Sequence, residues 1–179
     1  MTNPAAPTNR SGHSDAPQGT ERAHTLIVLV NDRPGAVDRV VGILRRRRAN
    51  MQTFVLGRSE FPDTVRITVS VTDSEVGIDH LIEQLRKTVD VRQVVNLTFQ
   101  QAITRELALI KVNSSAERSN QIIELGLLFG AVVVDITPEA ITLEVTGSGE
   151  KIEKLVSLLQ EYGIREVARS GSVAMARGT

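Results

Sequence analysis

One pattern, used twice, constrains this 179-residue chain more than any other feature. Leu26-Ile-Val-Leu-Val30 is a continuous apolar run, as expected of a strand central in a sheet. Asn31-Asp-Arg-Pro-Gly35 breaks it with turn chemistry. Val37, Val40, Val41 and Leu44 then fall at i, i+3, i+4 and i+7, the stripe of an amphipathic helix. Met51 to Gly57 reads as a second strand, with Phe61-Pro62-Asp63 as its turn. Val65, Ile67, Val69 and Val71 alternate with polar neighbours, a strand with one buried face. Ile78, Leu81, Ile82 and Leu85 give a second helix, and Val95, Leu97 and Phe99 alternate again. The order is β-α-β-β-α-β.

The second half repeats that order. Leu107 to Val112 is a strand, and Ile122, Leu125, Gly126 and Phe129 form a helix stripe. Ala131 to Ile136 and Ile141 to Val145 are strands joined at Thr137-Pro-Glu. Ile152, Leu155, Val156 and Leu159 make the fourth helix, and Glu166 to Ser170 a last short strand. A duplicated unit of about 75 residues follows. The predicted fold class is α+β, two consecutive ferredoxin-like βαββαβ domains, each an antiparallel sheet with both helices on one face. The opposite sheet face must then be polar or covered by a partner, and edge strands invite pairing between protomers, so a homodimer or larger assembly is expected. The expected boundaries are a disordered tail over 1–23, a first domain over 24–100 and a second over 101–179. The tail is rich in Pro, Ser, Thr, Asn and Gly, too polar to repay its ordering. It has no apolar core of a signal peptide, and Asp15 and Glu21 count against a transit peptide.

Composition removes most chemistries. Lys+Arg and Asp+Glu are 21 each, which argues against a dedicated nucleic-acid binder. The absence of Cys excludes thiol catalysis and cysteine zinc sites, and three scattered His make a histidine metal cage a poor reading. No apolar run reaches the ~20 residues of a membrane span, so a cytoplasmic protein is expected. An RNA-recognition domain shares this element order but stacks bases on aromatics of its central strands. LIVLV and VRITVSV have none, nor do LALIKV and ITLEV.

The strand-to-helix joint Asn31 to Ala36 is the most informative segment. Pro34 suits a helix start, Gly35 lets a ligand approach the backbone, and first-turn N–H groups favour a carboxylate or phosphate. Asp32 can cap the helix or accept from a ligand ammonium group; the same residues also simply start a helix well. Asn50, entering the second strand with Met51, reads by itself as a helix C-cap. Arg45-Arg-Arg-Arg48 covers the last helical turn, and residues 24–100 carry 11 basic against 9 acidic residues, only +2, so a solvated helix end outranks a nucleic-acid patch. Gly147-Ser-Gly-Glu150 lacks the Lys and spacing of a phosphate loop and reads as a capped turn. The glycosylation patterns at Asn96 and Asn113 are common by chance, and His80 reads as a surface residue. No catalytic set can be assembled, so the chain reads as non-catalytic.

With those residues in hand, the sequence resembles the small, regulatory subunit of acetolactate (acetohydroxyacid) synthase. The segment from His24 to Leu44, HTLIVLVNDRPGAVDRVVGIL, resembles that family's N-terminal ACT domain. Arg-Ala-Asn-Met51, Val-Asp-Val91, ELALIKV over 106–112, FGAVVVDIT over 129–137 and the ending EVARSG over 166–171 resemble later landmarks. The resemblance implies an N-terminal ACT domain and a C-terminal ACT-like one, with a role in branched-chain amino-acid synthesis. It implies a valine effector, with leucine and isoleucine as the other candidates, held between ACT domains of two protomers. It further implies activation and feedback inhibition of a catalytic large subunit that carries thiamine diphosphate, a divalent metal and FAD, with no cofactor in this chain. By position, the effector site is Asp32, Gly35, Ala36 and Val37 of one protomer with Asn50 and Met51 of its neighbour. Arg33-Pro34 follows the general ACT pattern, whereas some members of this family carry smaller or acidic residues there. The C-terminal domain is the expected contact with the catalytic subunit. The rivals are a free-standing amino-acid-sensing ACT protein acting on another partner, which has no need of the EVARSG ending, and an acylphosphatase-like enzyme, which needs an anion loop that the spacing of Arg33 and Asn50 does not offer.

Overall fold

The computed structural model describes residues 21–98 and 102–178. The first half contains β1 (Arg22–Asn31), α1 (Ala36–Arg46), β2 (Asn50–Arg58), β3 (Thr64–Asp73), α2 (Glu75–Arg86) and β4 (Val91–Asn96). The second contains β5 (Ala102–Asn113), α3 (Ser119–Leu128), β6 (Val132–Thr137), β7 (Ala140–Gly147), α4 (Gly149–Leu159) and β8 (Ile164–Arg169). A further strand, β9 (Val173–Ala176), closes the chain. The antiparallel sheets run β2-β3-β1-β4 and β6-β7-β5-β8, the order of two ferredoxin-like repeats.

Two helix-facing cores result. In the first, Val65, Ile67, Val69 and Val71 of β3 and Leu26, Val28 and Val30 of β1 meet Val40 and Leu44 of α1 and Ile78, Leu81, Ile82 and Leu85 of α2. In the second, Ala108, Ile110 and Val112 of β5 and Ile141, Leu143 and Val145 of β7 meet Ile122 of α3 and Ile152, Leu155 and Leu159 of α4. Each fully buried Leu or Ile contributes about 1.5–3 kcal/mol by leaving water. Ile43 is buried on α1 while Val41 is only half-buried. The α1 apolar stripe is wider than the spacing rule, and packing on β1 chooses among its members.

Polar contacts repeat as well. At the end of the first strand of each half, an arginine Nε from the fourth strand donates to an asparagine Oδ1: Arg92 to Asn31, and Arg165 to Asn113. The next amide donates into the following hairpin, Asp32 to the Asp63 carbonyl and Ser114 to the Glu139 carbonyl, each at 2.9 Å. The second helix of each half has the same cap: Ser74 Oγ accepts from Gly77 N–H at 3.1 Å and Ser148 Oγ from Lys151 N–H at 3.3 Å. Ser74→Ala and Ser148→Ala are therefore each expected to cost about 1 kcal/mol, read as the midpoint shift in urea unfolding.

The structure corrects several expectations. β1 begins at Arg22, so the last two residues of the segment expected as tail belong to the strand. Residues 1–20 and Phe99 lie outside the described residues. β4 turns Val94 toward the helix-side core and Val95 to the other face of the sheet, where Leu97, just past the strand, joins it. Helix α1 ends at Arg46, and the left-handed residue after it is Arg48, not Asn50, which opens β2.

The largest correction concerns the outer face of the first sheet. It needs no second molecule for cover, because the chain folds back on it. The start of β5 pairs with β9, Ala102 opposite Ala176 through Arg105 opposite Val173. This ribbon lays Ala174 and Ala102 on Ile27, Leu29, Val95 and Leu97, a third apolar cluster. Arg66 Nη2 donates to the Ala174 carbonyl at 2.9 Å. Among the described residues the second sheet has no such lid, and Leu107 and Leu109 on its outer face are each more than a third exposed. One buried charge supports that sheet from within: Glu106 accepts two hydrogen bonds from the Arg169 guanidinium, at 2.6 and 3.1 Å, and Arg169 also reaches Glu153 on α4. That fork raises the Arg169 pKa, the hydrogen bond to Glu106 being the main cause.

Candidate functional site

Helix α1 starts without a side-chain cap. Its N-cap is Gly35, at φ 80° and ψ −4°, in the left-handed region where only glycine sits without strain. The Ala36 N–H turns back to the Arg33 carbonyl at 3.1 Å. The amides of Val37 and Asp38 follow in the first turn, where helix geometry supplies no partner. Asp32, expected as a possible cap, instead stays exposed at the end of β1. The equivalent helix of the second half, α3, has Arg118 as its N-cap, at φ −101°, and no such glycine, so the second repeat lacks this arrangement.

The six residues predicted as a site divide into two groups. Asp32, Gly35, Ala36 and Val37 lie together at one end of the first sheet. Ala36 is fully buried with its N–H bonded to the Arg33 carbonyl, and Val37 is packed against the first core. Asn50 and Met51 are exposed at the start of the edge strand β2. Asn31 pairs with Thr64 and Asn50 with Thr72, so the two groups stand eight residues apart along β3, or ~26 Å at the usual rise per strand residue. One copy of the chain does not bring them together.

Two concavities flank Gly35 and Asp32. A groove of about 460 Å³ runs along α1, lined by Gly35, Asp38, Arg39, Gly42 and Arg46 with Thr88 opposite. Gly35, Arg39, Gly42 and Arg46 recur at i, i+4, i+7 and i+11, a second helical stripe legible in the sequence beside the apolar one. Arg39 is held in place by Asp90, which is buried and accepts from Nε at 2.7 Å. The second hollow, about 490 Å³, lies between Asp32 and the β2–β3 hairpin, including Arg58, Glu60 and Asp63. Glu60 is held below its ordinary pKa chiefly by a hydrogen bond from its own backbone amide, then by Ser59 and the charge of Arg66. Anions are thus favoured near Gly35 by the helix-start amides, Arg39 being already paired with Asp90 and Asp38 lining the same groove, while the second hollow is mixed in charge.

Among the described residues, no group of three His, Cys, Asp or Glu side chains is placed to hold a metal ion, and no helix is long and apolar enough to cross a membrane.

Comparison with known proteins identifies both halves. Residues 26–93 match the family described as the AHAS small subunit-like ACT domain, and residues 105–178 match the family described as the small subunit of acetolactate synthase. The acetolactate synthase small subunit of Mycobacterium bovis is 40% identical over 157 residues, 88% of this chain and 94% of the relative. That of Mycolicibacterium smegmatis is 43% identical over 155 residues, 87% of this chain and 91% of the relative. The crystal structure of the acetolactate synthase small subunit from Thermotoga maritima superimposes with a TM-score of 0.80 at 32% identity, covering 88% of this chain and 99% of that one. Likeness of this extent, in sequence and in fold, means that the chain belongs to the acetolactate synthase small-subunit family.

Proposed function

We propose that this chain is the non-catalytic regulatory subunit of an acetolactate synthase, raising the activity of a catalytic large subunit and conferring feedback inhibition by valine in branched-chain amino-acid synthesis. Thiamine diphosphate, the divalent metal and FAD belong to the catalytic chain in this reading. The observation that carries the effector half is the start of α1. Its Gly35 N-cap leaves first-turn amides and positive helix-end charge facing open space, suited to a carboxylate. Asp32, exposed beside them, suits an ammonium group, and half-buried Val37 offers an aliphatic wall.

The separation of Asn50 and Met51 from that joint supports a site completed by a second copy. Strand β2 is an edge strand, open to pairing, and an antiparallel neighbour carries its own Asn50 toward the first protomer's α1 start. For the catalytic subunit, the uncovered apolar face of the second sheet at Leu107 and Leu109 is the proposed contact, since the first sheet's outer face is already occupied by β9.

Calorimetric titration of the purified chain with valine tests the effector half, with leucine, isoleucine and threonine as comparators. Saturable valine binding at a stoichiometry set by protomer pairs is the expected result. Absence of binding by all four, alone and in the presence of the catalytic subunit, would remove feedback from this reading and leave activation.

A further inference from the structure

The ribbon that covers the first sheet does not cover all of it. Between β2–β3 on one side and the β5–β9 ribbon on the other lies a cavity of about 340 Å³, inside the range of about 300–1,000 Å³ typical of small-molecule sites. Its walls are mainly apolar, with Val55 facing Ile103, Val173 and Met175. Gly57 lies in its floor. A Cβ built on Gly57 meets no atom within 4 Å, and its φ lies outside the left-handed region, so neither crowding nor backbone conformation requires glycine there. A glycine inside a strand leaves the backbone open to close approach by a ligand.

The charge at this cavity has one sign. Arg58, Arg66 and Arg105 line it, and no Asp or Glu does among the described residues. Arg66 is anchored on the Ala174 carbonyl, and the carboxylate that feels its charge, Glu60, stands in the hairpin outside the lining. Arg105 is exposed at the rim, whereas Arg58, opposite Val65 of the helix-facing core, turns its side chain to the other face and the hollow beside Asp32. Two guanidinium groups on this face, those of Arg66 and Arg105, without a carboxylate disfavour an ammonium, so a free amino acid is a poor occupant. An apolar body ending in a single anionic group suits both walls and rim.

We propose that this cavity binds a small amphipathic monocarboxylate, its chain lying over Gly57 between Val55 and Met175 and its carboxylate meeting Arg66 and Arg105. The site lies between the two halves of the chain, so an occupant ties the ribbon to the ACT sheet. It is separate from the α1 start and does not depend on the valine reading.

The test is titration of the full chain with hexanoate, followed by calorimetry and by the methyl resonance of Met175. Saturable binding that perturbs Met175 is expected, with 1-hexanol and hexylammonium about tenfold weaker, the usual scale for losing a charge-assisted hydrogen bond. Gly57→Leu fills the floor and is expected to abolish binding while leaving the thermal midpoint and the valine titration as in the parent. The variant Arg105→Gln, made at an exposed position, is expected to weaken hexanoate about tenfold on the same grounds. Absence of saturable hexanoate binding, or binding that persists in Gly57→Leu, overturns the proposal. Equal affinity for hexanoate and 1-hexanol overturns its anionic part.

Discussion

Replacing Gly35 by Asp is expected to abolish valine feedback while the catalytic subunit is still activated. The substitution is one the fold can take. A Cβ at Gly35 meets only Arg39 Nη1 at 3.7 Å, an ordinary contact. The left-handed backbone costs an L-residue roughly 1–2 kcal/mol, and least for Asp and Asn. What changes is the helix start. A carboxylate then stands where the ligand's carboxylate is proposed to bind, and like charges at ~4 Å repel by up to about 4 kcal/mol near a protein surface. A loss of about 10–100-fold in valine affinity is expected from even part of that repulsion. Gly35→Asn separates charge from shape: it has the same outline and the same backbone tolerance, and is expected to lose less affinity than Gly35→Asp. The measurement is inhibition of the reconstituted complex across a valine series, with activation at zero valine recorded alongside. Valine inhibition of unchanged strength in Gly35→Asp would refute a site at this helix start. Equal losses in the two variants would assign the effect to shape rather than charge.

The repeat, the element order and most of both cores are legible from apolar spacing alone. The α2 stripe predicts its buried set residue for residue, and the β3 alternation predicts its helix-facing set, because one face of each element is buried by its own half of the chain; Thr68, on the polar side of the alternation, is buried as well. What the spacing does not reveal depends on residues far apart in the chain. Arg39 is positioned by Asp90, fifty-one residues on, and nothing local to α1 announces that pair. The distance between the two groups of the candidate site appears only when β2 and β3 are put in register. Strand β9 is four residues long, two of them alanine, too short to show a period. Its partner, Ala102 to Arg105, lies just where the two halves meet and reads as a connection. A pattern built on local periods therefore assigns each half its own core and leaves out the piece that joins them.

Ending the chain after Ser172 is expected to destabilise the half of the molecule that keeps all its own residues. The removed strand supplies Ala174, 5% exposed, to the cluster that holds Ile27 at 3% and Leu29 at 5%. It also supplies the ladder to Ala102–Arg105 and the carbonyl that accepts from Arg66. Partial exposure of two large aliphatic side chains of β1, at about 1.5–3 kcal/mol for complete burial of each, gives an expected loss of about 2–4 kcal/mol. The second core has no contact with this strand in its buried set, since Ile110, Ile141 and Leu155 pack within their own half. Amide hydrogen exchange is therefore expected to accelerate in β1 and β4 and to change little in β7 and α4. Uniform acceleration would mean that the halves unfold as one unit, and unchanged β1 exchange would mean that the ribbon is not part of the first domain's fold. The same geometry decides how the second half's role is best tested. Deleting residues 101–179 strips the lid from the ACT sheet as well as removing a domain, so a loss of activation in that deletion would not locate the contact with the catalytic subunit. A charge placed on the open face of the second sheet, as in Leu109→Asp, leaves Ala174 on Ile27 and Leu29 and asks the question of the contact alone.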